Sequence, residues 1–255
     1  MSTAPSPPAR SEIAGSPKIK AILFDKDGTL FDFRSTWLAA YRGAAAELAE
    51  AAGLGPSFVN VLLSRHGYDP AADTFAAESP LLWATTRDQA ALWSAEPELA
   101  GIGDVAQRLE RHFSDLDAYP PVPVTDLVGL FGRLRARGLK LGIATMDGTA
   151  VAEATLARLA ARALIDFIAG CDGGHGVKPD PGMVLAFCAV VGVRPRQVAV
   201  VGDHLADIAM ARAAGAGLAI AVLTGGCPAA AFEARADIVL PSIADLETAL
   251  VDHLA

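Results

Sequence analysis

The sequence predicts an α/β protein: a parallel sheet with helices on both faces, plus an inserted helical domain. Three observations carry this. Beyond the rigid run Tyr119-Pro120-Pro121-Val122-Pro123, short apolar runs alternate strictly with helical patterns. That alternation implies a parallel sheet buried on both sides. A further apolar run at residues 20–25 has the same strand character but stands roughly 85 residues upstream. The intervening segment, residues 34–119, reads as helical throughout and therefore as an insertion.

The elements follow in order. Residues 1–17 are rich in Ser, Ala and Pro, lack the apolar core of a signal peptide, and read as a flexible tail. Residues 20–25 form a buried strand that runs into a loop at Gly28. Inside the insertion, residues 36–52 and 56–66 are expected to be helices, and 68–80 irregular. Thr85 or Thr86 is placed to cap a third helix through Trp93, and 101–116 gives a fourth. Trp83 and Trp93 are expected in the core of this insert. Helix 124–137, strand 139–145, helix 149–163 and strand 167–170 come next. Then follow a helix at 181–191 with Asp180 as cap, strand 198–201, helix 206–214 and strand 218–222. The expected organisation is thus a tail (1–17), a core in two pieces (18–33 and 120–255) and a helical cap (34–119).

Composition narrows the function. The chain has 255 residues, 52% hydrophobic, with a formal net charge of −8. That is too apolar for a disordered chain, and an acidic chain without a Lys/Arg block is a poor match for nucleic acid or an anionic membrane. The charge-free stretch 213–232 is long enough to span a bilayer, but its glycines and Pro228 favour a buried strand and a Gly-rich loop. Cys171, Cys188 and Cys227 are far apart and form no C-x-x-C pair, which suits a reduced, cytoplasmic setting. No P-loop or H-E-x-x-H motif occurs. Oligomeric state is not legible.

In open α/β sheets ligands bind beyond the carboxyl ends of the strands. The first strand ends in Asp25-Lys26-Asp27-Gly28-Thr29 and the second in Thr145. Lys178-Pro179 lies beyond the third. Gly202-Asp203 ends the fourth, with Asp207 one helical turn on. Four carboxylates on one rim repel each other unless a cation joins them. A hard divalent ion suits oxygen donors, and Mg²⁺, which keeps waters and accepts phosphate oxygens, is the natural candidate.

These motifs, in this order, resemble those of the haloacid-dehalogenase-like superfamily across residues 20–246. The helical insert and the tail segment 236–246 resemble its phosphoglycolate phosphatase-like branch. The resemblance implies a Rossmann-like core, Mg²⁺ and an aspartyl-phosphate intermediate formed from a small phosphorylated metabolite. It implies Asp25 as nucleophile, Asp27 as general acid and base, and Thr145, Lys178 and the Gly28 loop as phosphate-binding groups. Asp25, the Asp27 backbone carbonyl and Asp203 would hold the metal, supported by Asp207. A phosphotransferase or sugar-phosphate mutase is the alternative enzyme on this scaffold, and a catalytically silent binding module the non-enzymatic one. Lys26, Met146 and His204 depart from the usual motifs, and the departures bear on substrate identity.

Overall fold

A computed structural model describes residues 18–254; the expected tail, 1–17, lies outside the described residues. The first strand among the described residues is β1 (Ala21–Phe24). A π-helical turn over Arg34–Leu38 leads into α1 (Ala39–Ala51), followed by α2 (Ser57–Arg65). β2 (Tyr68–Asp69) and β3 (Thr74–Phe75) then pair antiparallel. The stretch expected to be irregular thus holds a two-stranded hairpin, too short to show a period of two. α3 (Thr86–Ser94) and α4 (Val105–Ser114) complete the segment. Thr85 is the N-cap of α3, accepting from the Asp88 amide at 3.1 Å.

The rest alternates: α5 (Leu127–Ala136), β4 (Lys140–Ala144), α6 (Thr149–Arg158), β5 (Phe167–Ala169), α7 (Gly182–Val191), β6 (Val198–Gly202), α8 (Leu205–Ala214) and β7 (Leu218–Val222). A short α9 (Ala229–Phe232), β8 (Ile238–Leu240) and α10 (Leu246–Ala249) follow. Asp180 makes no cap bond to α7, whose N-cap position is Pro181. β8 was not foreseen as a strand, because three residues carry no readable period.

Six parallel strands form one sheet in the order β5-β4-β1-β6-β7-β8. β1 sits between β4 and β6, so the segment that departs from its end returns beside it. Its side chains alternate between faces. Ile22 and Phe24 pack with Leu130, Phe131 and Leu134 of α5, whereas Ala21 and Leu23 pack with Phe187 of α7 and Ile208 of α8. Both faces are covered, as a parallel sheet requires. The charge-free stretch resolves into β7, a Gly-rich loop and α9, and no helix among the described residues is long and apolar enough to cross a membrane.

The helical segment has its own core, built on Trp37, Tyr41, Leu48, Leu62, Trp93, Leu109 and Phe113. Trp37, Tyr41 and Phe113 meet edge-on or tilted, at centroid distances of 5.0–6.1 Å. The two chain crossings into this segment run side by side: the Asp32 amide donates to the Val122 carbonyl at 2.8 Å, and the Val122 amide to Thr36 Oγ1 at 3.2 Å. The segment therefore stands directly over the carboxyl end of β1.

Candidate active site

The sheet brings the ends of β1, β4 and β6 together. Asp25 follows β1, Thr145 follows β4, and Asp203 follows β6 with Asp207 in the first turn of α8. Lys178 reaches in from the loop before α7. All five are buried, and all line one pocket together with Asp27. Carboxylate oxygens of Asp25, Asp203 and Asp207 lie within 4.8 Å of one another. Lys178 Nζ donates to Asp25 Oδ1 and stands 2.7 Å from Asp207 Oδ1. Thr29 Oγ1 donates to Asp203 Oδ1 at 3.0 Å.

The electrostatics follow from this crowding. Burial, together with the neighbouring Asp207, pushes the Asp25 carboxyl above its ordinary value, although Lys178 pulls the other way. Burial and the charges of Asp25 and Asp207 push Asp203 well above it. Burial alone would depress Lys178, but Asp207 and Asp25 outweigh it and hold the ammonium charged. Three carboxylates and one lysine leave two negative charges, the complement of a divalent cation. Asp25 Oδ2 is buried without a hydrogen-bond partner. Buried, oxygen-only and doubly negative, the cluster fits a hard divalent ion.

Gly28 is placed by necessity. Its φ is +85°, and a Cβ there would collide with the Asp203 carboxylate. Its amide donates to the Phe31 carbonyl at 2.8 Å, which holds the turn. Thr224 closes the loop from outside, donating from Oγ1 to the Gly28 carbonyl at 2.6 Å.

Asp27 does not join the three-carboxylate cluster through its side chain. It belongs to a second set that the motifs do not announce. Lys26 is 2% exposed. Its Nζ stands 2.8 Å from Asp27 Oδ1 and 2.9 Å from Asp147 Oδ2, with the rings of Phe31 and Trp37 5.7 and 5.6 Å away. Burial raises the Asp147 carboxyl to about 6, with Lys26 opposing and Asp27 adding to the rise. Asp147 lines the pocket, and sequence reasoning missed it. The available signal was a pair of anomalies, a lysine between the two motif aspartates and a carboxylate two residues past Thr145. His204 is the N-cap of α8, its Nδ1 accepting from the Ala206 amide at 3.2 Å, while Asp207 Oδ2 accepts from the His204 amide. Trp93 is fully buried as expected. Trp83 is not: it is 41% exposed and lines the pocket mouth, because the short turn Pro80–Leu82 carries it out of the insert's core.

Residues 19–215 match the model of the haloacid dehalogenase-like hydrolase family. A phosphoglycolate phosphatase of Chromobacterium violaceum is 33% identical over 229 residues, 89% of this chain and 95% of that protein. An N-acetylmuramic acid 6-phosphate phosphatase of Pseudomonas aeruginosa is 24% identical, over 78% of this chain and 79% of its own length. The crystal structure of a phosphatase of the same superfamily from Thermococcus onnurineus shares the fold, with a TM-score of 0.66 and 20% identity over 93% of this chain and all of that one. By motif order, fold and overall similarity, the chain belongs to the haloacid dehalogenase-like hydrolase family.

Proposed function

We propose that this hydrolase is a Mg²⁺-dependent phosphomonoesterase that acts on a small organic phosphate through an aspartyl-phosphate. The observation that carries the reading is the buried cluster of Asp25, Asp203 and Asp207 tied by Lys178 at the strand ends. The phosphatase relatives support it. Asp25 and Asp203, with the Asp27 backbone carbonyl and the support of Asp207, would hold the ion. When bound, it would neutralise the charge between the Asp25 carboxylate and a phosphoryl group.

The chain's own groups then divide the work. Asp25 attacks phosphorus, and the P–O bond to the leaving group breaks as the Asp–phosphate bond forms. Lys178 holds Asp25 in place and offsets the phosphoryl charge. Thr145, buried beside the pocket, presents a hydroxyl to a phosphoryl oxygen. Asp27 gives its proton to the departing alkoxide, then takes one from the water that cleaves the aspartyl-phosphate. Lys26 and Asp147 fix the position of the Asp27 carboxylate for both transfers. Residues 34–119 act as a cap over the strand ends of the core, 18–33 and 120–255, and exclude bulk water. Three free cysteines are consistent with work in the cytoplasm.

The test is nitrophenyl phosphate hydrolysis by the full chain, with and without chelator. Turnover should vanish in chelator and return with Mg²⁺, and acid quench during turnover should trap phosphate on Asp25. Full activity without a divalent ion would overturn the metal assignment. Absence of phospho-enzyme in a mutant that stalls hydrolysis would overturn the intermediate.

A further inference from the structure

The pocket has two unlike halves. Its floor is the carboxylate cluster. Its other walls are Phe33, Trp37, Leu82, Trp83 and Phe113 from the inserted segment and its hinge, facing Met146 from the core.

Positive charge is scarce there. Among the described residues, Lys178 is the one lysine or arginine lining the pocket, and it is engaged by Asp25 and Asp207. Lys26 lies behind the floor, engaged by Asp27 and Asp147. Four arginines of the insert are ion-paired outside the lining: Arg34 with Asp73, Arg65 with Glu96 and Glu98, Arg108 and Arg111 with Glu47. Arg42 engages Asn60 and Tyr68, and Arg87, next to Thr86, is exposed and does not line the pocket. His204 uses Nδ1 to accept the Ala206 amide. A substrate with a carboxylate beside its phosphate would thus bring a second anion to a lining that, among the described residues, offers no unengaged lysine or arginine. It would have to leave water for an aromatic wall. An apolar body gains from the same wall, and covering half-exposed Trp83 adds to the gain.

We propose that the substrate's leaving group is an uncharged alcohol with an aromatic or apolar body, not a carboxylate-bearing alcohol such as glycolate. This rests on the phosphatase reading, and deepens it. The experiment pairs two esters with two non-hydrolysable analogues, all with the full chain and Mg²⁺. Benzyl phosphate and phosphoglycolate are compared by kcat/KM. Benzylphosphonate and phosphonoacetate are compared by calorimetric Kd. The aromatic member should lead each pair by at least about tenfold, the scale on which apolar pockets discriminate. Trp83→Ala should shrink that ratio several-fold, and Leu82→Lys should shift it toward the carboxylate. Equal or reversed preference in both pairs, or a ratio unmoved by Trp83→Ala and Leu82→Lys alike, would overturn the proposal. Esters turned over in the reverse order would refute the substrate class and leave the phosphatase standing. Phosphonates bound in the expected order by a chain that cleaves neither ester would refute the phosphatase and leave the ligand class standing.

Discussion

The floor and the roof of the pocket are held together by opposite means. On the floor, Asp25, Asp203, Asp207 and Lys178 are buried polar groups that tolerate burial by engaging one another. Each is fixed by the end of a different element, so a change at one shifts the charge balance of all the others. The roof is apolar packing within one inserted segment, where Trp37, Tyr41, Trp93 and Phe113 hold each other by shape. Apolar surfaces accept substitution provided volume is kept. The comparison teaches where a hydrolase of this kind can vary. Two relatives named for different phosphate esters, phosphoglycolate and N-acetylmuramic acid 6-phosphate, fit a scheme in which the floor stays and the roof changes.

The sharpest way to break that contrast is to remove the proposed nucleophile. Asp25→Asn should lower kcat by at least about a thousand-fold on every phosphate ester, because it deletes the attacking charge. It should not lower Tm in metal-free protein, since it relieves a buried cluster of like charges. Steady-state kinetics and a thermal melt check both halves. Near-normal turnover in a folded Asp25→Asn protein would remove Asp25 from the chemistry.

The next effect separates the floor's two sets. Asp27→Asn should cost about 10²–10⁴ in turnover of an alkyl phosphate, the usual worth of general acid–base catalysis. It should cost far less in the first step with nitrophenyl phosphate, whose leaving group departs unprotonated, so a burst of nitrophenol should precede slow turnover. Lys26→Met should show the same selectivity in weaker form, since it removes the group that holds Asp27 at 2.8 Å. Stopped-flow kinetics on both substrates decide it. Equal losses on the two esters without a burst would leave the Lys26–Asp27–Asp147 set a purely structural feature.

These two experiments also mark how much was legible in the sequence. The sheet and its parallel sense follow from apolar runs alternating with helices, and the carboxylate cluster from the two runs that end in Asp25 and Asp203, because strand ends are where a parallel sheet exposes its ligand site. Lys26 and Asp147 were not joined, because each anomaly is interpretable only with the other: a buried lysine needs a counter-charge, and nothing in the spacing of 26 and 147 reveals that β1 and β4 are neighbours. Gly28 was legible as a turn residue but not as one whose amide is already used. Trp83 reads as core on aromatic character alone, and the turn Pro80–Leu82 that carries it outward leaves no mark in that character. The hairpin β2–β3 and strand β8 are shorter than any period that could announce them.

Stability in metal-free protein should sharpen the comparison through pH. Asp25, Asp203 and Asp147 all have carboxyls raised by burial. A group whose folded pKa is raised binds more protons folded than unfolded between its two pKa values. Its contribution is therefore complete at low pH and is lost as pH climbs, for Asp147 between its ordinary value of 3.8 and about 6. Metal-free protein should accordingly lose Tm as pH rises across that window. Mg²⁺ at 100 times its Kd should restore about 2.7 kcal/mol by mass action at neutral pH. A flat metal-free Tm profile from pH 4 to 7, or a Mg²⁺-independent melt, would show that the floor is not strained by its charges.

The roof should respond to pH with the opposite sign and the smallest effect. His66, at the end of α2, is 8% exposed. Burial holds its imidazole below the ordinary histidine value, with Arg65 adding to the depression, although Glu96 stands 3.1 Å from Nε2 and opposes it. The unfolded chain therefore takes up the proton first, and stability is lost as pH falls below about 6.5. A useful accident makes this separable from the floor. The chain has three tryptophans, Trp37, Trp83 and Trp93, all in the inserted segment, and Trp93 lies 6.3 Å from the His66 ring. Tryptophan fluorescence thus reports from the roof. In Mg²⁺-loaded protein, where Asp25 and Asp203 would be held ionised, the fluorescence melt should shift down by a few degrees at most between pH 7.5 and 5.5. His66→Gln, which keeps a donor for Glu96 and cannot titrate, should flatten that arm. An unchanged slope in His66→Gln would mean that another group carries the pH dependence, and would remove His66 from the roof's proton linkage.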